Sequence, residues 1–347
     1  MRAMSLERPA PVESGPLRLI EKPRPQPGPG EILVRVATCG VCRTDLHLCE
    51  GELPPKYPGI VPGHEIVGRV ETLGAGSRRF GVGDRVGVAW LRETDGVCAY
   101  CRRGRENLCP NARFTGWDAD GGYAEYAAVR EDFAYSLPDA IDDEHAAPLL
   151  CAGIIGFRAI KRAGVVPGAT VGLYGFGGSA HLALQVLKHW KCRVFVMSRG
   201  GLHRELAEEL GADWIGDACE APPAPLDAAI LFAPAGDLVP PSLQALDRGG
   251  ILAIAGIYLS AVPPLDYQRD LFYEREVRSV TANTRADGEE FLAIAGEIPV
   301  KTYTVPMRLE EANQALSMLK HDELRGAAVL RVRHERELTA PARRETL

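Results

Sequence analysis

The sequence predicts an α/β chain in two parts, an irregular, mostly antiparallel β domain followed by a doubly wound domain built on a parallel sheet. Three observations carry that prediction. The chain has 347 residues, beyond the roughly 250 to 300 at which a single hydrophobic core stops growing, so two domains are expected. Up to about residue 150, glycines and prolines punctuate short β-branched runs, the texture of strands joined by turns. From Cys151 onward, continuous apolar runs alternate with amphipathic ones, the pattern of a parallel sheet covered on both faces.

The elements follow in order. In the first part GEILVRVATCGVC, HEIVGRVETLG, GDRVGVAW and GGYAEYAAVR are the strands. In the second, ATVGLYGFGG reads as a buried strand, SAHLALQVLKHW as a helix, CRVFVMSR as a strand and LHRELAEELG as a helix stopped at Gly211. LDAAILFAP is then a strand, PPSLQALDRGG a helix and ILAIAGI a strand. VPMRLEEANQALSMLKHDELRGAAVLRV reads as one amphipathic helix and a closing strand, and the charged tail RHERELTAPARRETL as frayed. The expected units are 1–153, 154–290, a return to the first domain over 291–335, and a tail over 336–347.

Composition excludes several classes. The apolar fraction of 46% and charged fraction of 25% are ordinary for a globular protein. A net charge of −6 offers no basic field to nucleic acid or anionic lipid, so neither is an expected partner. The N-terminal MRAMSLERPAPVESGP has no apolar signal core, and no uncharged apolar run reaches the ~18 residues of a membrane span, so a cytoplasmic protein is expected. Six of the nine cysteines fall in two local groups, Cys39, Cys42, Cys49 and Cys98, Cys101, Cys109. In a reducing compartment that grouping reads as metal ligation.

GLYGFGGSA places Gly175, Gly177 and Ala180 at the G-x-G-x-x-[GA] spacing, between a strand and a helix. Glycines there let the backbone turn tightly and approach a pyrophosphate, whose charge meets the helix N-terminus. At the end of the next strand, where an acidic residue would hold the ribose of NAD, the chain has Ser198 and Arg199. A guanidinium suits a 2′-phosphate, so NADP is favoured, with NAD as the alternative.

Two ligand sets are candidates for zinc. Cys42, His64 and Cys151 would give two thiolates and an imidazole, which leaves one corner of a tetrahedron open as in a catalytic site. Spacing alone does not show that they converge, and a lone histidine is commonly a structural residue. Cys98, Cys101 and Cys109 follow C-x2-C-x7-C, one ligand short of a structural site. Asp95, three residues before Cys98, either completes the set or caps a turn at Asp95-Gly96 beside unmetallated thiols.

GVCRTDLH, GHEIVGRVETLGAGS, VGDRV, CAYCRRGRENLC, LLCAGI and GLYGFGGSAH occur in this order. Together they resemble the zinc-dependent alcohol dehydrogenases of the medium-chain dehydrogenase/reductase superfamily, over nearly everything from Met1 to about Val332. The resemblance implies a GroES-like catalytic domain and a Rossmann dinucleotide domain. It implies catalytic zinc on Cys42, His64 and Cys151 with Glu65 beside it, and structural zinc on Asp95, Cys98, Cys101 and Cys109. Thr44 would contact the substrate oxygen, His47 would relay the proton, and Asp45 would buttress the site. The cofactor would meet Arg43, Gly175, Phe176, Gly177, Gly178, Ser198 and Arg199, with Ala233, Gly256, Ile257 and Thr284 on later turns. The substrate would be a small alcohol or aldehyde, bordered by Trp90, Phe114 and Trp117 unless these belong to the β core. The assembly would be a homodimer or homotetramer formed around GIYLSAVPPLDY.

The chain departs from the family in having Ile155 where relatives often carry threonine, and Gly326-Ala327 where many carry Gly-Arg, with Arg325 displaced by one. Two rival readings remain at this stage. One is a zinc-dependent polyol or sugar-alcohol dehydrogenase, although such relatives often replace the third cysteine with glutamate. The other is a non-catalytic zinc or redox sensor.

Overall fold

A computed structural model describes residues 1–332; the tail expected to be frayed lies outside the described residues. The first domain is built on a seven-stranded sheet ordered Thr304–Arg308, Ala327–Arg331, Glu31–Gly40, Glu65–Leu73, Arg85–Val88 and Ala134–Ser136, with Tyr126–Arg130 also pairing with Glu31–Gly40. Val34, Val36, Ile66, Val70, Val86 and Val88 pack in its core, as β-branched residues do on a pleated surface. The antiparallel register sets Gly40 opposite Glu65. Cys42 therefore leaves one strand at the edge where His64 enters the next, and the ladder itself brings two distant segments together.

The second domain is a six-stranded parallel sheet in the order Trp214–Gly216, Arg193–Met197, Thr170–Tyr174, Leu226–Leu231, Leu246–Ile254, Glu276–Ser279. The chain order reverses between Thr170–Tyr174 and Leu226–Leu231, and open parallel sheets bind their ligands at such a switch point. Val171, Leu173, Val194, Val196 and Ile230 are wholly buried beneath the helices Ala152–Arg162 and Gly178–His189.

The structure adds elements that the sequence pattern did not give. A short edge strand runs over Trp214–Gly216, another strand over Glu276–Ser279, and a helix over Arg285–Glu297. The helix expected over PPSLQALDRGG stops at Ala245, because Leu246 already belongs to the next strand. At the C-terminal end the strand Thr304–Arg308 precedes the helix Ala312–Lys320 and the strand Ala327–Arg331, which pairs Val329 with Gly40. Among the described residues no helix is long and apolar enough to cross a membrane.

Candidate active site

Cys42 is the N-cap of the helix Arg43–Glu50. Its backbone N–H donates to Asp45 Oδ2 at 3.0 Å, and Asp45 Oδ1 accepts from Gly63 N at 3.0 Å. Tyr123 donates its hydroxyl to Asp45 Oδ2 at 3.2 Å. One buried carboxylate thus pins the turn that carries Cys42 to the turn that carries His64. Asp45 Oδ1 also lies 3.3 Å from His64 Nδ1, attractive in charge but not aligned as a hydrogen bond. Cys151 arrives from the junction between the domains, at the start of the helix Ala152–Arg162.

The ligand atoms of Cys42, His64, Glu65 and Cys151 all lie within 4.8 Å of one another. The sulfurs of Cys42 and Cys151 are 3.7 Å apart, and two thiolates on one tetrahedral zinc sit about 3.8 Å apart when each bond is near 2.3 Å. Both ring nitrogens of His64 and Oε2 of Glu65 are buried without a hydrogen-bond partner. Orphaned polar atoms in a core are costly unless something unbuilt satisfies them, and a soft divalent cation fits this donor set. Gly40 makes the room: a Cβ there would stand 1.8 Å from Glu65 Oε2.

Electrostatics agree with that fit. The Cys42 thiol is drawn well below its ordinary range, first by its hydrogen bond with Cys151, which is itself pushed up. Burial, then the nearby Cys42 charge, pushes the Glu65 carboxyl up. Burial opposes charging His64, but Asp45 and Cys42 outweigh it and hold the imidazole well above its usual value.

The glycine turn lies next to this cluster. Gly175 has φ +85°, and a Cβ on it would meet Ala233 N at 2.8 Å. Gly256 packs against the carbonyl of the same Ala233, so Gly175, Ala233 and Gly256 converge at the switch point of the sheet. Gly177 is exposed with open space where a side chain would be, as a backbone meant to receive a pyrophosphate should be. A Cβ on Gly178 would lie 3.7 Å from Ala152 Cβ. Ala152 follows Cys151, so one residue separates the thiol cluster from the dinucleotide turn. Phe176 is buried beneath that turn, Ser198 is buried at the end of the next strand, and Arg199 and Ile257 are exposed.

Other expected cofactor residues are engaged elsewhere. Arg43 donates to Asp322 Oδ1 at 2.7 Å. Thr284 is buried and caps the helix Arg285–Glu297: its hydroxyl donates to Asp287 Oδ2 at 2.8 Å. The residues at the two departures also have other neighbours: Arg325 lies 3.6 Å from Glu209, and a Cβ on Gly326 would stand 2.0 Å from Tyr303 O.

In the cysteine lobe Asp95 caps its turn and also stands among the thiols. Its Oδ1 accepts from Val97 N and Cys98 N, each at 2.9 Å, and its Oδ2 from Asn111 Nδ2 at 3.0 Å. The same carboxylate sits with Cys98, Cys101 and Cys109 in a second set of donors within 4.8 Å of one another. Those hydrogen bonds, the Cys98 amide first, hold Asp95 well below the usual carboxylate range. Cys101 is pushed up to about 11, first by desolvation. The lobe therefore offers one firm anion and crowded thiols 3.5 Å apart at Cys98 and Cys101.

Residues 28–139 match the model of the alcohol dehydrogenase GroES-like domain. Across 95% of its length the chain is 53% identical to “Probable alcohol dehydrogenase AdhA” of Mycobacterium tuberculosis, of which 97% is covered. It is 36% identical to an alcohol dehydrogenase of Geobacillus stearothermophilus over 91% of this chain and 96% of that one. Among solved structures it resembles a cobalt- and zinc-bound thermostable alcohol dehydrogenase from Pyrobaculum aerophilum, with a TM-score of 0.85, 29% identity and coverage of 95% and 99%. The chain belongs to the zinc-dependent alcohol dehydrogenase family.

An aromatic stack borders the donor cluster through Trp90. Trp90 meets His64 edge to face at 5.0 Å and stacks on Phe114 at 4.9 Å and on Trp117 at 6.1 Å. All three are half-buried rather than core. Lys56 Nζ sits 4.0 Å over Trp117, whose Nε1 donates to Pro54 O at 2.8 Å. Sequence reasoning missed two residues here, Glu52 and Tyr258. Both touch His47; no local motif signals the contact Tyr258 makes from a loop of the other domain, and Glu52, five residues from His47, matches no motif.

Proposed function

We propose that the enzyme interconverts small alcohols and aldehydes or ketones by hydride transfer to and from NADP, at a catalytic zinc held by Cys42, His64 and Cys151 with Glu65 alongside. The observation that carries this reading is the cluster of four donors, three of their buried polar atoms unpartnered, one residue away from the glycine turn. When bound, zinc supplies the Lewis-acid polarisation that makes an alcohol hydroxyl acidic near neutral pH. The nicotinamide supplies the hydride acceptor or donor.

The chain's own residues do the rest. Thr44 stands 3.8 Å from Cys42 Sγ and offers the hydroxyl that orients the substrate oxygen and takes its proton. Thr44 and His47 are three apart on the helix Arg43–Glu50, hence on one face. That face is the outward path for the proton. Trp90, Phe114 and Trp117 exclude water from one wall and favour an apolar substituent on the carbinol carbon. Arg199, exposed where an acidic residue would oppose it, supports NADP over NAD. A second zinc on Asp95, Cys98, Cys101 and Cys109 would hold the lobe.

Initial rates over a panel of aliphatic and aromatic alcohols, each with NADP and NAD, test the reading. Turnover of apolar primary or secondary alcohols with NADP preferred is expected. Turnover confined to polyols would favour a sugar-alcohol dehydrogenase, and no turnover with any pair would favour a sensor.

A further inference from the structure

His47 is held from two domains at once. It lies on the helix Arg43–Glu50 with its side chain 14% exposed, and its Nδ1 pairs with the carboxylate of Glu52, whose side chain is 52% exposed. From the other side Tyr258, in the loop after the strand Leu246–Ile254, sets its ring 4.2 Å from the imidazole. The Tyr258 hydroxyl donates to Glu52 O at 2.9 Å. Tyr258 has φ +53°, a left-handed backbone that costs a non-glycine residue and persists where its surroundings demand it. The loop that carries it directly follows Gly256 at the sheet's switch point.

The other charged groups on and against this helix are occupied. Arg43 pairs with Asp322, Asp45 with the amides of Cys42 and Gly63, and Glu50 with Lys320 and Val12 N, while Lys320 also holds Glu13. Glu52 is the carboxylate that meets the imidazole. A carboxylate on Nδ1 fixes the tautomer with the proton on that nitrogen and leaves Nε2 as acceptor.

We propose that Glu52 and Tyr258 are positioning residues of the proton path: Glu52 holds His47 with its proton on Nδ1, and Tyr258 clamps the pair from the dinucleotide domain. The inference rests on the hydride-transfer reading above. In alcohol oxidation the O–H bond breaks and its proton is bonded to His47 Nε2, while the Nδ1–H bond breaks and that proton passes to Glu52 and then to water; exchange through water then returns the remaining proton from Nε2 to Nδ1 before the next turnover. The nicotinamide, when bound, would accept the C–H electron pair as hydride. One proton and one hydride leave per alcohol, and reduction runs the same path inward. Because half of the clamp belongs to the second domain, the path is complete only when the two domains are together.

The test is the pH profile of kcat for alcohol oxidation in the wild type, Glu52→Gln, Glu52→Asp, Tyr258→Phe and Tyr258→Leu, with zinc content and Tm measured on each. Glu52→Gln should keep its zinc, its Tm and its KM for alcohol. Its kcat should fall about tenfold near neutral pH, less than the ~10²-fold of a direct acid–base group. The loss should shrink as pH rises and hydroxide replaces the carboxylate as outer acceptor. Glu52→Asp should restore the profile, and Tyr258→Leu should lower kcat more than Tyr258→Phe. A Glu52→Gln profile identical to the wild type, or a uniform loss that Glu52→Asp does not repair, overturns the proposal. A wild type that oxidises no alcohol overturns the hydride-transfer reading with it, whereas an active wild type with an unchanged Glu52→Gln profile overturns this proposal alone.

Discussion

At the scale of single residues, Gly40 sets the catalytic cluster as firmly as any ligand does. Since a Cβ would stand 1.8 Å from Glu65 Oε2, Gly40→Ala must displace the carboxylate or the strand. Overpacking of this kind costs about 1–3 kcal/mol, so urea denaturation should report that loss and metal analysis a drop in bound zinc. Arg199→Ala should lower the preference for NADPH over NADH in kcat/KM. Because Arg199 is exposed, about tenfold is expected, near the bottom of the ~1.5–3 kcal/mol range of charge-assisted hydrogen bonds. The ligand candidates were legible through the ordered motifs that resemble the family, since the spacing of Cys42, His64 and Cys151 alone did not show that they converge. The engagements of Thr284 and Arg43 were not read: Thr284 caps a helix through Asp287, while Arg43 pairs with Asp322 on a distant turn that local spacing does not fix. Tyr258 was invisible for the same reason, and Glu52, five residues from His47, belongs to no motif.

At the scale of elements, the helix Gly178–His189 carries a buried histidine that the reaction does not use. His181 is 3% exposed, its Nε2 has no partner, and burial pushes its pKa down to about 4. Below pH 6.5 the unfolded chain binds a proton at this site that the native fold refuses until about pH 4. Stability therefore falls as pH drops through that window, by at most ~3 kcal/mol from this group. His181→Leu should flatten that part of the pH dependence when unfolding is followed at pH 7 and pH 4.5.

The cysteine lobe allows a sharper separation. Asp95→Asn keeps the acceptor for Val97 N and Cys98 N but loses the charge. If the carboxylate is a ligand, metal analysis should give two zincs per chain in the wild type and one in Asp95→Asn; two in both would reduce Asp95 to a turn cap. Four of the six parallel strands were legible because apolar runs of five or more residues between helical patterns have few alternatives. The helix Arg285–Glu297 was not, since Gly288 and Gly296 interrupt its pattern. Its Thr284-x-x-Asp287 capping box was the signal available. The strand Trp214–Gly216 is too short to leave a period.

At the scale of the whole molecule, the strand Glu276–Ser279 forms the far edge of the second sheet and has no partner strand beyond it among the described residues. Beyond the strand Glu276–Ser279, Tyr267, Phe272 and Val277 are 62%, 48% and 41% exposed. An open strand edge flanked by apolar side chains is a ready pairing surface, so the chain is expected to form a homodimer or homotetramer. Light scattering should give two or four times the 37.5 kDa of one chain. The two-domain division was legible from length and texture, but the return of Thr304–Arg308 and Ala327–Arg331 to the first sheet joins the ends of the chain in a way that strand patterns alone do not specify.

The central claim is that catalysis depends on a cation held by Cys42, His64 and Cys151 beside the dinucleotide turn. The most direct measurement is the rate of NADP-dependent alcohol oxidation per chain as zinc is stripped from the enzyme and returned, with bound metal counted at each step. The rate should vanish as the catalytic zinc leaves and return in proportion as it is restored. A stripped enzyme that still oxidises alcohol at the full rate would contradict the account.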